Sequence, residues 1–234
     1  MPIPAPILSI DTCGPSGSVA LGRLAGRDLE VFGQMELAGR SYSATLVAAV
    51  RDLLRGAGVG LGDLGGIVVT NGPGSFTGVR VGLSAVKGLA EGRNIPVVAL
   101  SRLLVLARKA GVPTAALDAH RGEVFLRLES TGRNPVELLA GHAELMAVEP
   151  RPLRIALCDE PSAELMAAAW PATQIVRTEA PMAADALRLG ESRLVAGVCA
   201  DLETLDGHYL RRSDAEIFGD KTIGEPAGAE PQRP

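Results

Sequence analysis

The chain has 234 residues, net charge −4, 47% apolar residues and 3% aromatics, enough for one large or two small domains with an Ala-, Val- and Leu-built core. No basic run of five occurs, so charge offers no case for this chain alone gripping nucleic acid. Cys13, Cys158 and Cys199 lie far apart without a CxxC, no apolar run nears membrane-span length, and MPIPAPILSID lacks a signal peptide's order, so a cytoplasmic protein without disulfide framework, zinc site or membrane span is expected.

Residues 7–11 (ILSID) form a short apolar run closed by an acid, 13–17 (CGPSG) are turn material, and 18–23 (SVALGR) return. This predicts a β-hairpin with Asp11 and Thr12 at the tip of its first strand. Leu29–Leu37 follows as a third strand. Ser41–Arg55 is predicted as a helix with an apolar stripe of Leu46, Val47, Val50, Leu53 and Leu54. Leu64–Thr70 contains IVVT, a buried strand that leads into the stretch around which the chain is organised, Asn71–Gly92 (NGPGSFTGVRVGLSAVKGLAEG).

That stretch opens as a Gly72–Pro73–Gly74 turn, and Ser75 or Thr77 can cap the helix that follows. Val79, Leu83, Val86 and Leu89 sit near helical spacing, with Gly78, Gly82, Ala85 and Gly88 among them. Each helical glycine costs roughly 1 kcal/mol relative to alanine, so several together call for a reason. Either the helix start binds an anion, or the glycines admit another backbone, in this protein or in a partner.

Ile95–Leu100 is predicted as a strand and Ser101–Ala110 as a helix capped by Ser101; Gly111–Val112–Pro113 then breaks the chain. Thr114–Asp118 (TAALD) repeats the layout of ILSID, followed by a turn at Ala119–Gly122 and a returning strand, Glu123–Leu128. Two domains on one plan follow, residues 1–110 and 111–218, each opening with a hairpin. Further predicted elements are a strand at Leu153–Leu157, a helix at Ser162–Ala169 capped by Ser162, and a strand at Gln174–Val176. A helix at Met182–Gly190 ends at its glycine, and Ser192–Leu202 continues helical. Residues 219–234 are expected to be disordered.

Asp11, Thr12, Gly72 and Gly74 are the candidate phosphate-binding residues, and Asp11 could hold magnesium through water. The competing reading makes Asp11 and Thr12 local turn caps. Neither loop is a Walker motif or dinucleotide fingerprint. His120, His142 and His208 lack ligand spacing, so no metal site is expected. Ser16, Ser75 and Ser101 lack a nucleophile elbow, and Cys13 is an isolated thiol. Asp118, His120, Arg121 and Glu123 crowd one turn; the preferred reading has Asp118 closing the hairpin and Arg121 pairing with Glu123.

ILSIDTCGPSGSVAL, GPGSFTGVRVGLSAVKGLAEG, VVALSRL and ALDAHRGEVF, in that order, resemble the TsaB family, once called YeaZ, over about residues 7–212. HYLR at 208–211 resembles the family's C-terminal P-x-Y-L-R, with His208 in place of the proline. The resemblance implies an α/β, actin-like, sugar-kinase-like ATPase fold with two related domains. It also implies a non-catalytic subunit that pairs with a TsaD-type transferase in threonylcarbamoyladenosine modification of tRNA, beside a TsaE-type ATPase. Homodimers in isolation and tRNA contact only through the complex are expected, with no cofactor of its own; weak ATP or ADP binding at the subunit junction stays open. TsaD draws metal ligands from an HxxxH pair on its first helix, and Ser41–Arg55 has no histidine. Family pairing through the first two helices maps onto Leu46, Val50, Leu54, Ser75, Phe76, Thr77, Gly78, Arg80, Val81, Gly82 and Ala85. Gly78 and Gly82 would lower a ridge for the partner helix, so Gly82→Leu would abolish pairing in a folded chain. The alternative is a small ATPase or sugar kinase of the same fold, using Asp11 and the Gly72–Thr77 loop.

Overall fold

Two short apolar runs that end in aspartate start the two halves of the protein. The computed structural model describes residues 5–211 except 26, 27, 40, 130, 131 and 133. The 219–234 tail lies outside the described residues.

The first half holds β1 (Ile7–Asp11), β2 (Gly17–Ala25), β3 (Asp28–Leu37), α1 (Tyr42–Gly56), β4 (Gly66–Thr70), α2 (Phe76–Glu91), β5 (Val97–Leu100) and α3 (Arg102–Lys109). The second holds β6 (Ala115–Asp118), β7 (Val124–Leu128), β8 (Val136–Ala140), α4 (His142–Ala147), β9 (Arg154–Leu157), α5 (Glu160–Ala169), β10 (Gln174–Arg177) and α6 (Ala183–Val195). The strands form two five-stranded sheets, β3-β2-β1-β4-β5 and β8-β7-β6-β9-β10. In each sheet the first three strands are an antiparallel meander and the other two join in parallel. The duplicated plan is that of the two-domain, actin-like α/β fold.

β1 is central and buried throughout, which is why ILSID does not alternate with polar residues. Leu8 and Ile10 pack in the cluster that holds α1 and α2, while Ile7 packs with Ala184 and Leu187 of α6 on the other side. α6 therefore covers β1, β2, β4 and β5, although its sequence position places it with the second half. It runs through Gly190 to Val195 as one helix, rather than ending at the glycine, and residues 196–204 are turns and irregular chain, not helix. A Cβ at Gly190 would collide with the Val68 side chain, so this glycine lets helix and sheet approach instead of breaking the helix.

α3 fills the other crossing. Its Leu103 and Leu106 pack with Ala115, Leu117 and Phe125 of the second half. Ser101 caps α3 as expected, by accepting from Leu104 N. α5 is capped by Asp159, whose carboxylate accepts from Ser162 N, so Ser162 is its third residue and not its cap. The short β8 and α4 carry too few residues for a periodic signal and were not predicted.

Candidate functional site

β1 delivers Asp11 to the tip of the first hairpin, where only 2% of its side chain is exposed. One carboxylate oxygen accepts from Cys13 N at 2.8 Å. The other lies 3.5 Å from Nε of Arg102, whose side chain is 7% exposed. Arg102 is the first residue of α3, and its own N–H donates to Gly72 O at 2.7 Å. The guanidinium also lies against Gly14. Burial, the largest single influence, would lower the Arg102 pKa, but Asp11 together with Cys13 and Cys158 more than reverses it, so the group stays charged.

The two candidate phosphate loops close on each other. Thr12 Oγ1 donates to Gly78 O at 2.7 Å, and Ser75 N donates to Cys13 O at 2.8 Å. A Cβ at Gly74 would run into the Cys13 carbonyl, which explains the glycine. Asp11, Thr12, Gly72 and Gly74 are thus brought together, but to bind one another. A nucleotide phosphate needs free N–H donors and a cation facing an open space. Here Cys13 N and Ser75 N are taken by the chain, and Arg102 faces Asp11 at 3.5 Å, with Nε and Oδ2 both buried and neither in a hydrogen bond. These residues, engaged with one another, do not fit the nucleotide phosphate that the resemblance in sequence implies. Burial, then the Asp11 charge, pushes the Cys13 thiol up to about 12, so it is no nucleophile at neutral pH. Among the described residues no three His, Cys, Asp or Glu side chains group as a metal site would require.

α1 and α2 both start at this hairpin tip. Tyr42 donates its hydroxyl to Gly14 O at 2.8 Å, and Ser75 caps α2 by accepting from Gly78 N at 3.2 Å. The expected pairing residues divide into two groups. Ser75, Thr77 and Arg80 are exposed, and Phe76, Val81 and Ala85 are half-buried. Leu46, Val50 and Leu54 are only 1%, 2% and 7% exposed and belong to the core with Val79, Leu83 and Val86. Gly78 and Gly82 also face inward: a Cβ on either would strike Thr12. The close approach that these two glycines permit is therefore between α2 and the β1–β2 tip, not between α2 and a partner. The phase of a helix depends on what it packs against, and Thr12 supplied no sequence signal.

Other residues of the same face are left outward. Val47 is 61% exposed. A Cβ on Gly88 would meet no atom within 4 Å, so Gly88 is the open glycine of α2. Val47, Leu54, Val59, Leu61 and Leu89 line an apolar groove with Arg51 and Arg55 beside it.

The C-terminal segment crosses back between the halves. His208 N donates to Asn71 O at 2.7 Å, a bond that a proline could not make. His208 Nε2 lies 2.8 Å from Glu137 of β8, which also takes Ser101 Oγ and Arg127. Burial raises the Glu137 pKa, and these three partners more than reverse it, so it lies below the usual range. Arg211 pairs with Glu123, and Tyr209 stacks beside Phe76, ring centroids 5.0 Å apart.

Residues 35–143 match the family model of TsaD, tRNA N6-adenosine threonylcarbamoyltransferase. The tRNA threonylcarbamoyladenosine biosynthesis protein TsaB of Escherichia coli K12 is 38% identical over 125 residues, 51% of this chain and 52% of that protein. TsaB of Bacillus subtilis 168 is 32% identical over 159 residues, 63% of this chain and 68% of that protein. The chain belongs to the TsaB family. It spans about half the length of the Escherichia coli TsaB that it matches. The solved structure of YeaZ from Pseudomonas aeruginosa is 27% identical and superposes with a TM-score of 0.69, covering 88% of this chain and all of that one. In this TsaB-family chain, GPGSFTG spans the loop and first turn of α2, and DAHRGEV spans the second hairpin tip.

Proposed function

We propose that this chain is a non-catalytic subunit that pairs with a TsaD-type transferase and supports threonylcarbamoyladenosine formation on tRNA. The observation that carries this reading is the closed hairpin tip, where Arg102 takes the position against Asp11 that a phosphate-bound cation would need. A chain whose phosphate loops bind each other has no place for nucleotide chemistry of its own. Its contribution is a surface. The outward side of α1 and α2, with Val47, Gly88 and the groove beside Leu89, is where the partner docks. In this reading the complex also takes a TsaE-type ATPase, tRNA is met only through the complex, the chain self-pairs when the transferase is absent, and it works in the cytoplasm. No described helix is long and apolar enough to cross a membrane.

Co-purification with the TsaD-type paralogue from the same source tests this, followed by a threonylcarbamoyl-transfer assay with the ATPase subunit supplied. Gly88→Leu is expected to leave the isolated chain folded and to prevent complex formation. A Gly88→Leu chain that still co-purifies at wild-type yield would move the docking face elsewhere. ATP turnover by this chain alone would favour the small-kinase alternative.

A further inference from the structure

Residues 205–211 form a strap whose two ends belong to different halves. Leu205 is buried in the core that holds α1 and α2. Leu210 packs in the cluster that joins α3 to the second sheet. Between them the strap is pinned to the loop before α2. His208 N donates to Asn71 O, and Asn71 Nδ2 donates to Asp206 O at 3.3 Å. A Cβ at Gly72, where φ is +110°, would press on the His208 carbonyl, so this glycine admits the strap. The strap is also pinned to the second half, His208 by Glu137 of β8 and Arg211 by Glu123 and the His120 carbonyl.

Tyr209 is where the strap meets α2. It lies against Phe76, the first residue of that helix, and Arg80 closes the stack with its guanidinium 3.7 Å from the Phe76 ring centroid and 5.9 Å from that of Tyr209. Residues two apart in an α-helix point to nearly opposite sides, about 200° around the axis. Phe76 and Gly78 are such a pair. Gly78 faces Thr12 of the first hairpin tip, and Phe76 faces Tyr209 of the strap. The first turn of α2 is thus gripped from two sides, once by its own half and once by a segment anchored in the other. A helix end held on one side only can still pivot; held on both, it cannot. Arg80 and Leu89 lie nine positions apart, half a turn around the axis, so Arg80 belongs to this stack and not to the groove beside Leu89.

We propose that the strap is the positioning element of the pairing surface: Tyr209, anchored through His208 and Arg211, sets the direction in which α2 presents its docking side, so the second half serves pairing without touching the partner. The inference rests on the pairing proposed above and names the residues that hold its docking helix. Tyr209 and His208 are positioning residues, and neither lines the groove. His208 stands where the family resemblance places a proline, and both of its anchors, the N–H to Asn71 and the ring nitrogen to Glu137, are ones that a proline cannot make.

The test uses the full-length chain and the TsaD-type paralogue. Calorimetric titration measures pairing, hydrogen exchange reads the amides of residues 76–80, and urea unfolding reads global stability. Tyr209→Ala and His208→Pro are each expected to weaken pairing by about threefold to thirtyfold, as substitutions that act through a packed network do. Exchange in the first turn of α2 should speed up while the chain stays folded at the titration temperature. Tyr209→Phe keeps the ring and should pair and exchange like wild type. Wild-type pairing in both Tyr209→Ala and His208→Pro would overturn the inference and leave the proposed function standing. So would weakened pairing with unchanged exchange at 76–80, which would make Tyr209 a direct contact, or global unfolding of both variants, which would make the strap structural only. No pairing by the wild-type chain would remove the reading on which the inference rests.

Discussion

The two hairpin tips start from the same design and end differently. Asp11 closes β1 and Asp118 closes β6, and each carboxylate accepts a backbone N–H two residues on, from Cys13 and from His120. At the first tip the second oxygen is buried against Arg102, and the turn is sewn to α2 through Thr12 and Cys13. At the second tip the other oxygen takes Nδ1 of an exposed His120 at 2.9 Å, and His120, Arg121 and Gly122 all have positive φ. One tip is a structural keystone, and the other is a surface turn. The contrast shows that a repeated motif need not keep a repeated role: a single inward arginine on the next helix changes what the aspartate does.

The largest expected effect breaks the first tip. Arg102→Met leaves Asp11 buried without its counter-charge and should cost about 3–5 kcal/mol in urea unfolding. Gly82→Leu comes next, at roughly 1–3 kcal/mol, because the side chain must displace Thr12. This replaces the expectation that Gly82→Leu would leave the chain folded; Gly88→Leu is the variant that should. Between the tips lies the strap at His208. The Glu137 pKa is depressed, so its contribution is complete above the usual glutamate range and is lost as pH falls through its lower folded value. Thermal unfolding should therefore show a loss of stability on acidification below about pH 4 that Glu137→Gln reduces. Asp118→Ala at the exposed tip should be smallest, at about 1 kcal/mol or less, as for a turn cap. If Asp118→Ala cost as much as Arg102→Met, the two tips would be equivalent after all.

Much of the architecture was readable from the chain. The two Asp-terminated runs, the Ser101 cap and the strand before Asn71 are local patterns, and the structure has them. The Ser75 cap was one of two local options. What was not readable depends on packing across distance. Arg102 lies 91 positions from Asp11, and nothing local says that it turns inward. Gly82 and Gly88 look alike in sequence; only the position of Thr12 makes one inward and the other open. Gly190 reads as a helix stop until Val68 is known to press on it. The cap of α5 was placed three residues late because Asp159 and Ser162 are both good caps, and the strand end decides between them.

The most direct test of the account is a threonylcarbamoyl-transfer assay of the reconstituted complex in which this chain carries Asp11→Asn and Arg102→Met together. Asparagine retains the oxygen that accepts from Cys13 N, and the pair loses both charges at once, which buried pairs tolerate far better than losing one. If the first tip is structural, the complex assembles and transfer proceeds at the wild-type rate. An assembled complex that has lost transfer would mean that Asp11 and Arg102 serve the chemistry, and the chain would then be part of an active site.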